Sequence, residues 1–171
     1  AFAVPKAYCN AHIKNVEVTL ARLPKALHGF KIAQLTDLHI GMSLGGEWLT
    51  EIVHKTNALK ADAIVITGDM IDGPPERIFQ EVEPIKELHA PQGVFFVTGN
   101  HEYYSDIPKW MPLFEKLGLK MLHNERVSIG FGDDTFDLAG IDDFHATTME
   151  PEHGPDLEKA TKGRDPNREL V

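Results

Sequence analysis

The chain has 171 residues, 42% of them hydrophobic, and a formal net charge of -9; that is enough apolar material for one cored domain and excludes a disordered polypeptide. The acidic balance argues against a protein that coats nucleic acid, because phosphate backbones select basic surfaces, although carboxylates gathered around cations would become locally positive. A single cysteine, Cys9, excludes an intramolecular disulfide, and no stretch reaches the roughly 18 apolar residues of a transmembrane helix.

In chain order, "AFA" (Ala1 to Ala3) has the small-x-small form of the end of a signal sequence, and fits an ordinary mature terminus equally well. Residues 1–14 read as a leader or linker. "NVEVTLARL" (15–23) alternates, with Val16, Val18 and Leu20 on one side, and predicts a half-buried edge strand. "PKALHG" (24–29) is turn chemistry, and "FKIAQLTD" (30–37) is a strand. Residues 47–59 predict an amphipathic helix with Trp48, Leu49, Ile52, Val53, Thr56 and Leu59 on its apolar face. "ADAIVITGD" (61–69) is a nearly continuous apolar run, the mark of a strand covered on both faces. A second helix follows over 74–89, kinked or split at Pro84, and then a third buried strand over 93–100.

Residues 105–118 predict a helix capped by Ser105 or Asp106, with Pro108 and Pro112 fitted into its first turn. "LKMLHNERVSIG" (119–130) and "DTFDLAGID" (134–142) read as two more strands. The tail from 145 to 171 is polar, with one short helix near 156–162, and Leu170-Val171 look like the opening of a further strand. The order β-α-β-α-β-α-β-β implies an α/β layered fold with a largely parallel central sheet.

Three consecutive buried strands end in polar residues of one chemical kind: Asp37-Leu38-His39, then Gly68-Asp69 with Asp72 beyond, then Gly99-Asn100-His101-Glu102. In an open parallel sheet the carboxyl ends of the strands share one edge, where ligands bind. On an extended segment Asp37 and His39 point the same way and are expected to grip one ion together. Asp69 would bridge that ion to a second, to which Asn100 offers its carbonyl oxygen. Mixed oxygen and nitrogen ligands suit Mn, Fe, Zn or Co. His101, directly after a ligand, is expected to face the substrate rather than the same ion and to act as general acid, with Asp72 as its partner. Tyr103-Tyr104 read as packing of the loop. His12, His28, His54, His89, His123 and His153 read as surface or packing residues, and His145 as lying near the site without a direct role. A Gly-rich phosphate loop and a Walker lysine are both absent from the sequence.

"DLH", "GD" with its following Asp, and "GNHE" resemble the first three signature blocks of the calcineurin-like metallophosphoesterases. "LPKALHGFKIAQLTDLHIG", "ADAIVITGDMIDG", "GVFFVTGNHEYY" and "LAGIDD" are similar to the bacterial branch whose members are often membrane-attached, some of them phosphodiesterases or UDP-diacylglucosamine pyrophosphatases. The resemblance runs from about Asn15 to Asp143.

It implies a four-layer α/β/β/α sandwich and a centre of two divalent metal ions (Mn, Fe, Zn or Co). Asp37 and His39 would hold the first ion, Asp69 would bridge, Asn100 would hold the second, and His101 would be the acid backed by Asp72. The implied reaction is hydrolysis of a phosphoester or phosphoanhydride, by in-line attack of hydroxide held on the metals. The implied substrate is a small-molecule or lipid-linked phosphate ester rather than nucleic acid. The family pattern continues with two histidine blocks that do not occur before Val171. The chain is therefore expected to be the N-terminal part of a single domain, incomplete at its C-terminus, inactive alone and with an exposed apolar sheet face. A non-catalytic binding module of the same fold is the alternative; a nuclease fits the acidic balance less well.

Overall fold

The computed structural model describes residues 11–150 and 153–171. Four short strands, β1 (Ile32–Leu35), β2 (Ala63–Thr67), β3 (Val94–Val97) and β4 (Lys120–Met121), form a parallel sheet in that spatial order. The crossovers carry α1 (Gly46–Ala58), α2 (Pro75–Val82), the single-turn α3 (Asn100–Tyr104) and α4 (Ile107–Lys116). All of them pack on one face of the sheet. Crossovers of one hand that repeat on one face add each strand to the same edge, hence the unbroken order.

Strand alternation divides the core in two. Ile64 and Ile66 of β2 and Val94 and Phe96 of β3 face the helices, where they meet Ile52, Trp110 and Phe114. Ala63 and Phe95 face the other way, with Val65 and Val97 packed beside them, toward Ile129, Phe136 and Leu138 of a second layer. That layer is an antiparallel hairpin of β5 (Glu125–Phe131) and β6 (Asp134–Gly140). Trp110 is fully buried and stacks on Phe114 with ring centroids 5.1 Å apart. Truncating it to alanine would cost about 3–5 kcal/mol. The short helices α5 (Ala146–Met149) and α6 (Leu157–Thr161) follow, and α6 packs against the hairpin. The mixed α/β layering, with helices, a parallel sheet and a second sheet, is the class expected.

Four expectations about local structure are corrected. Residues 15–23 do not form a strand, since no described segment pairs with them, and Val16 and Val18 are 68% and 70% exposed. Their alternation still has a consequence: Val16, Val18 and Leu20 line one open apolar cavity of about 800 Å³ with Phe30, Val65 and Leu138. The run 119–130 is two strands in two sheets, because Asn124 takes a left-handed φ of 53° and turns the chain from β4 into β5. The strand of 93–100 ends at Val97, and Asn100 opens α3, a helix that the sequence patterns did not show. Pro112 lies inside α4 rather than in its first turn.

Pro84 ends α2 and a 3-10 turn, Glu83–Glu87, continues from it, which is the split expected at that proline. At the other end of the chain, Leu170 bridges Asp137 in parallel, with Val171 N–H donating to Asp137 O at 2.8 Å. This is the strand opening expected at Leu170-Val171. The signal-like residues 1–3 lie outside the described residues. Among the described residues no helix is long and apolar enough to cross a membrane.

Candidate metal centre

The segments that leave β1 and β2 stay zipped together beyond the sheet. Asp37 N–H donates to Gly68 O at 3.2 Å, His39 N–H to Asp69 O at 2.9 Å, Ile40 N–H to Met70 O at 2.8 Å, and Asp72 N–H to Ile40 O at 2.7 Å. Apolar Leu38, Ile40, Met70 and Ile71 face the core, so the polar residues between them are left at the sheet's carboxyl edge. Asp37, His39 and Asp69 reach it through left-handed backbone, with φ of 53°, 46° and 51°. The extended i, i+2 geometry expected for Asp37 and His39 is therefore absent: β1 ends at Leu35, and both residues lie on the turn beyond it.

His39, Asp69 and His101 each offer one ligand atom, and those atoms lie within 4.8 Å of one another. The rings of His39 and His101 meet edge to face with centroids 4.5 Å apart. His101 thus stands beside His39 and Asp69, close enough to share their ion or to face a substrate bound on it. The reason is α3: consecutive residues on a helix splay by about 100°, not the half-turn of a strand. Asp37 stands on the exposed rim, its carboxylate accepting the Thr36 hydroxyl at 2.6 Å. Asn100 is the first residue of α3 and half-buried. Two imidazoles and a carboxylate gathered in this way fit a divalent transition-metal ion.

Asp72 occupies the middle of the cluster. Its Oδ1 lies 3.0 Å from His39 Nδ1 and 2.6 Å from His101 Nδ1. Burial pulls the His39 pKa down, but the Asp72 hydrogen bond and the charges of Asp72, Asp69 and Asp37 outweigh it and hold His39 above its ordinary value. Burial pushes Asp72 up, and the hydrogen bonds and charges of His39 and His101 more than reverse this.

Glu102 is the residue whose part the sequence patterns missed. It is fully buried, and its carboxylate accepts four backbone N–H groups: Asp69 at 2.9 Å, Met70 at 2.8 Å, Ile71 at 3.3 Å and Gly99 at 2.6 Å. Burial pushes its pKa up, partly offset by the N–H groups of Gly99, Met70 and Asp69. One side chain thereby ties the turn after β2 to the start of α3. A signal was available in the helix-start spacing of Gly99 and Glu102, since the Glu102 side chain answers the N-cap backbone. The Asp69 carboxylate in turn accepts the His101 N–H at 2.9 Å. Tyr103 is buried, whereas Tyr104 is 59% exposed, its ring centroid 5.6 Å from that of His101. His12, His28, His54 and His89 are exposed, as expected, and His145 is exposed beside Asp143.

A model of the calcineurin-like phosphoesterase family matches residues 30–169, which include every residue of this cluster. The chain belongs to the calcineurin-like phosphoesterase family. Family members depend on a di-metal centre, and the donor set at the sheet edge accords with one. The chain is 38% identical over 167 residues (93% of its length) to a bovine protein named transmembrane protein with metallophosphoesterase domain. It is 33% identical over 159 residues to an uncharacterized metallophosphoesterase of Helicobacter pylori, again 93% of its length. It is also 37% identical over 86 residues (48% of its length) to the UDP-2,3-diacylglucosamine pyrophosphatase LpxG of Chlamydia muridarum. The matches span 38%, 41% and 26% of those three proteins.

Proposed function

We propose that the protein hydrolyses a phosphodiester or pyrophosphate, with Asp37, His39, Asp69 and Asn100 as metal ligands and His101 as general acid. The observation that carries this reading is the sharing of Asp72 Oδ1 between Nδ1 of His39 and Nδ1 of His101. A carboxylate at Nδ1 fixes the tautomer and leaves Nε2 for other work. For His39 that work is to ligate. For His101 it is to give the Nε2 proton of its imidazolium form to the departing oxygen, which leaves the neutral imidazole hydrogen-bonded to Asp72 through Nδ1–H.

The bound ions supply charge neutralisation at the phosphoryl group and activation of water. The protein's own contribution is orientation. Glu102 holds the turn that carries Asp69, and the Asp69 carboxylate holds the first turn of α3 through the His101 N–H. A lipid-linked phosphate ester is the substrate class supported by the chlamydial relative, whose name states a diacylglucosamine substrate. The bovine relative's name supports membrane attachment of the whole protein.

The test compares leaving groups. In the full-length, metal-loaded protein, His101→Ala should lower kcat by about 10²–10⁴-fold on a diester with a basic alkoxide leaving group. The loss should shrink on an activated aryl diester, which leaves without protonation. Full kcat on the alkoxide substrate would remove His101 from the acid role.

A further inference from the structure

A second set of metal-ligating side chains, sharing no residue with the first, gathers where the chain leaves the carboxyl end of β4. His123, Asp142 and His153 each offer one ligand atom, and the three atoms lie within 4.8 Å of one another. The fold brings them together by simple means. Glu125 pairs with Gly140 in the hairpin, so continuing that antiparallel register by two residues sets His123 opposite Asp142. Their Nδ1 and Oδ2 are 2.6 Å apart. His153 comes from the segment before α6, and its ring centroid is 4.5 Å from that of His123.

The cluster is held from behind by one residue. Asn124 is buried in a left-handed turn. Its side-chain amide donates to Asp142 Oδ2 at 3.0 Å and to Gly154 O at 2.8 Å. Its carbonyl oxygen accepts the N–H groups of Asp142 at 3.3 Å and Asp156 at 2.9 Å. The turn that bears His123, the strand end that bears Asp142 and the segment that bears His153 are therefore locked together before any ligand arrives. On the far side, Tyr103 Oη lies 3.4 Å from His153 Nδ1 and 3.2 Å from Thr98 Oγ1. Burial raises the Tyr103 pKa to about 12, so the group stays a neutral phenol. When His153 donates Nδ1–H to that oxygen, its Nε2 lone pair is free to ligate, the arrangement usual for metal-bound histidine.

The Asp142 side chain is only 2% exposed. A carboxylate so buried is costly unless cationic charge faces it, and here it faces two imidazoles and an amide. Two imidazoles and one carboxylate match Zn²⁺ and its neighbours Co²⁺ and Ni²⁺, with a position left for water.

We propose that His123, Asp142 and His153 bind one divalent transition-metal ion, Zn²⁺ being the best match, at a site separate from the His39–Asp69–His101 centre. Bound there, the ion ties the segment before α6 to the end of the hairpin. Tyr103 relays that brace to α3, whose other side carries His101. The site stands on its own residues and does not depend on the hydrolase reading.

Co²⁺ titration of the full chain with His39→Ala and Asp69→Asn in place tests it, because those changes dismantle the other centre. The expected result is one retained Co²⁺ with visible ligand-field absorption. Adding His153→Gln should weaken that binding by at least about tenfold, with far-ultraviolet circular dichroism unchanged. A second measurement needs no dismantled centre: the Zn²⁺ content of the otherwise natural chain should fall by one ion in His153→Gln. Failure of the double variant to bind Co²⁺ while folded, or equal binding with His153→Gln, overturns the proposal. So does an unchanged Zn²⁺ content, which also decides the matter if the double variant does not fold.

Discussion

Oδ1 of Asp72 lies 2.6 Å from Nδ1 of His101. The neutral amide of Asp72→Asn can present an N–H there instead of an acceptor, which turns the imidazole to the wrong tautomer. We expect kcat to fall by about 10–10²-fold on a substrate with a poor leaving group, and much less on an activated aryl diester. Steady-state kinetics on the two substrates checks this. Equal losses on both would mean that Asp72 acts only on metal binding, through His39.

Glu102→Gln keeps the shape of the side chain but not its acceptors. Whichever carboxylate oxygen becomes NH₂ then faces two backbone N–H groups, Asp69 and Gly99 or Met70 and Ile71. Leaving those buried donors unpaired should cost about 2–4 kcal/mol of stability. Denaturant unfolding of the metal-free protein measures it. Metal affinity should weaken as well, because Asp69 belongs to the turn that Glu102 holds. A change below about 0.5 kcal/mol would be too small for this role.

Gly99→Ala should act on the metal centre without touching a ligand. A Cβ at Gly99 would collide with the Asp69 carboxylate and lie 2.6 Å from Asp69 N. Backbone cannot yield cheaply there, so the Asp69 carboxylate must move. Isothermal titration with Mn²⁺ is expected to show at least about a tenfold loss of affinity. Gly118→Ala, on the turn after α4 with open space around it, strains a positive φ that Gly99, at -103°, does not have, and is the control for destabilisation away from the metal centre. It should leave metal binding unchanged.

The pH dependence of stability should change sign on metal loading. His39 is held above its ordinary 6.5 and Asp72 below its ordinary 3.8. A raised histidine contributes stability in full below its unfolded value and loses it as pH climbs through the folded value; a lowered Asp contributes above 3.8 and loses it on acidification. The metal-free protein should therefore lose thermal stability as pH rises above about 6.5, through the raised pKa of His39. The side chains are 33% and 39% exposed, so solvent screens the pair and the slope is shallow. With Mn²⁺ present the same rise in pH should increase stability, because the ion competes with the proton for His39. Melting temperatures against pH, with and without Mn²⁺, test both signs, and Asp72→Asn should flatten the metal-free slope.

Much of this was legible in the residues. The buried strands of "AIVIT" and "VFFV" stand where their apolar runs placed them, since such runs need cover on both faces. His39, Asp69, Asp72 and His101 converge because parallel strands deliver their carboxyl ends to one edge. The strand argument failed where backbone left the strand. Asp37 and His39 sit in left-handed turns, and His101 in a helical turn, so alternation did not govern their direction. Val16 and Val18 carry a strand's alternation without a strand's partner, and a pairing partner is not encoded in local pattern. His123 and His153, 30 positions apart on a turn and in the tail, read as packing residues; their segments are joined by the buried amide of Asn124 and by the contact of the two rings.

The most direct measurement is hydrolysis of a bis-aryl phosphodiester by the full-length protein, before chelation, after it, and after Mn²⁺ is restored, alongside Asp69→Asn. Activity should vanish with the chelator and return with Mn²⁺, and Asp69→Asn should fall by at least about 10²-fold. Undiminished turnover in the chelated protein, or in folded Asp69→Asn, would show that the cluster at the sheet edge is not where the phosphoester is cleaved.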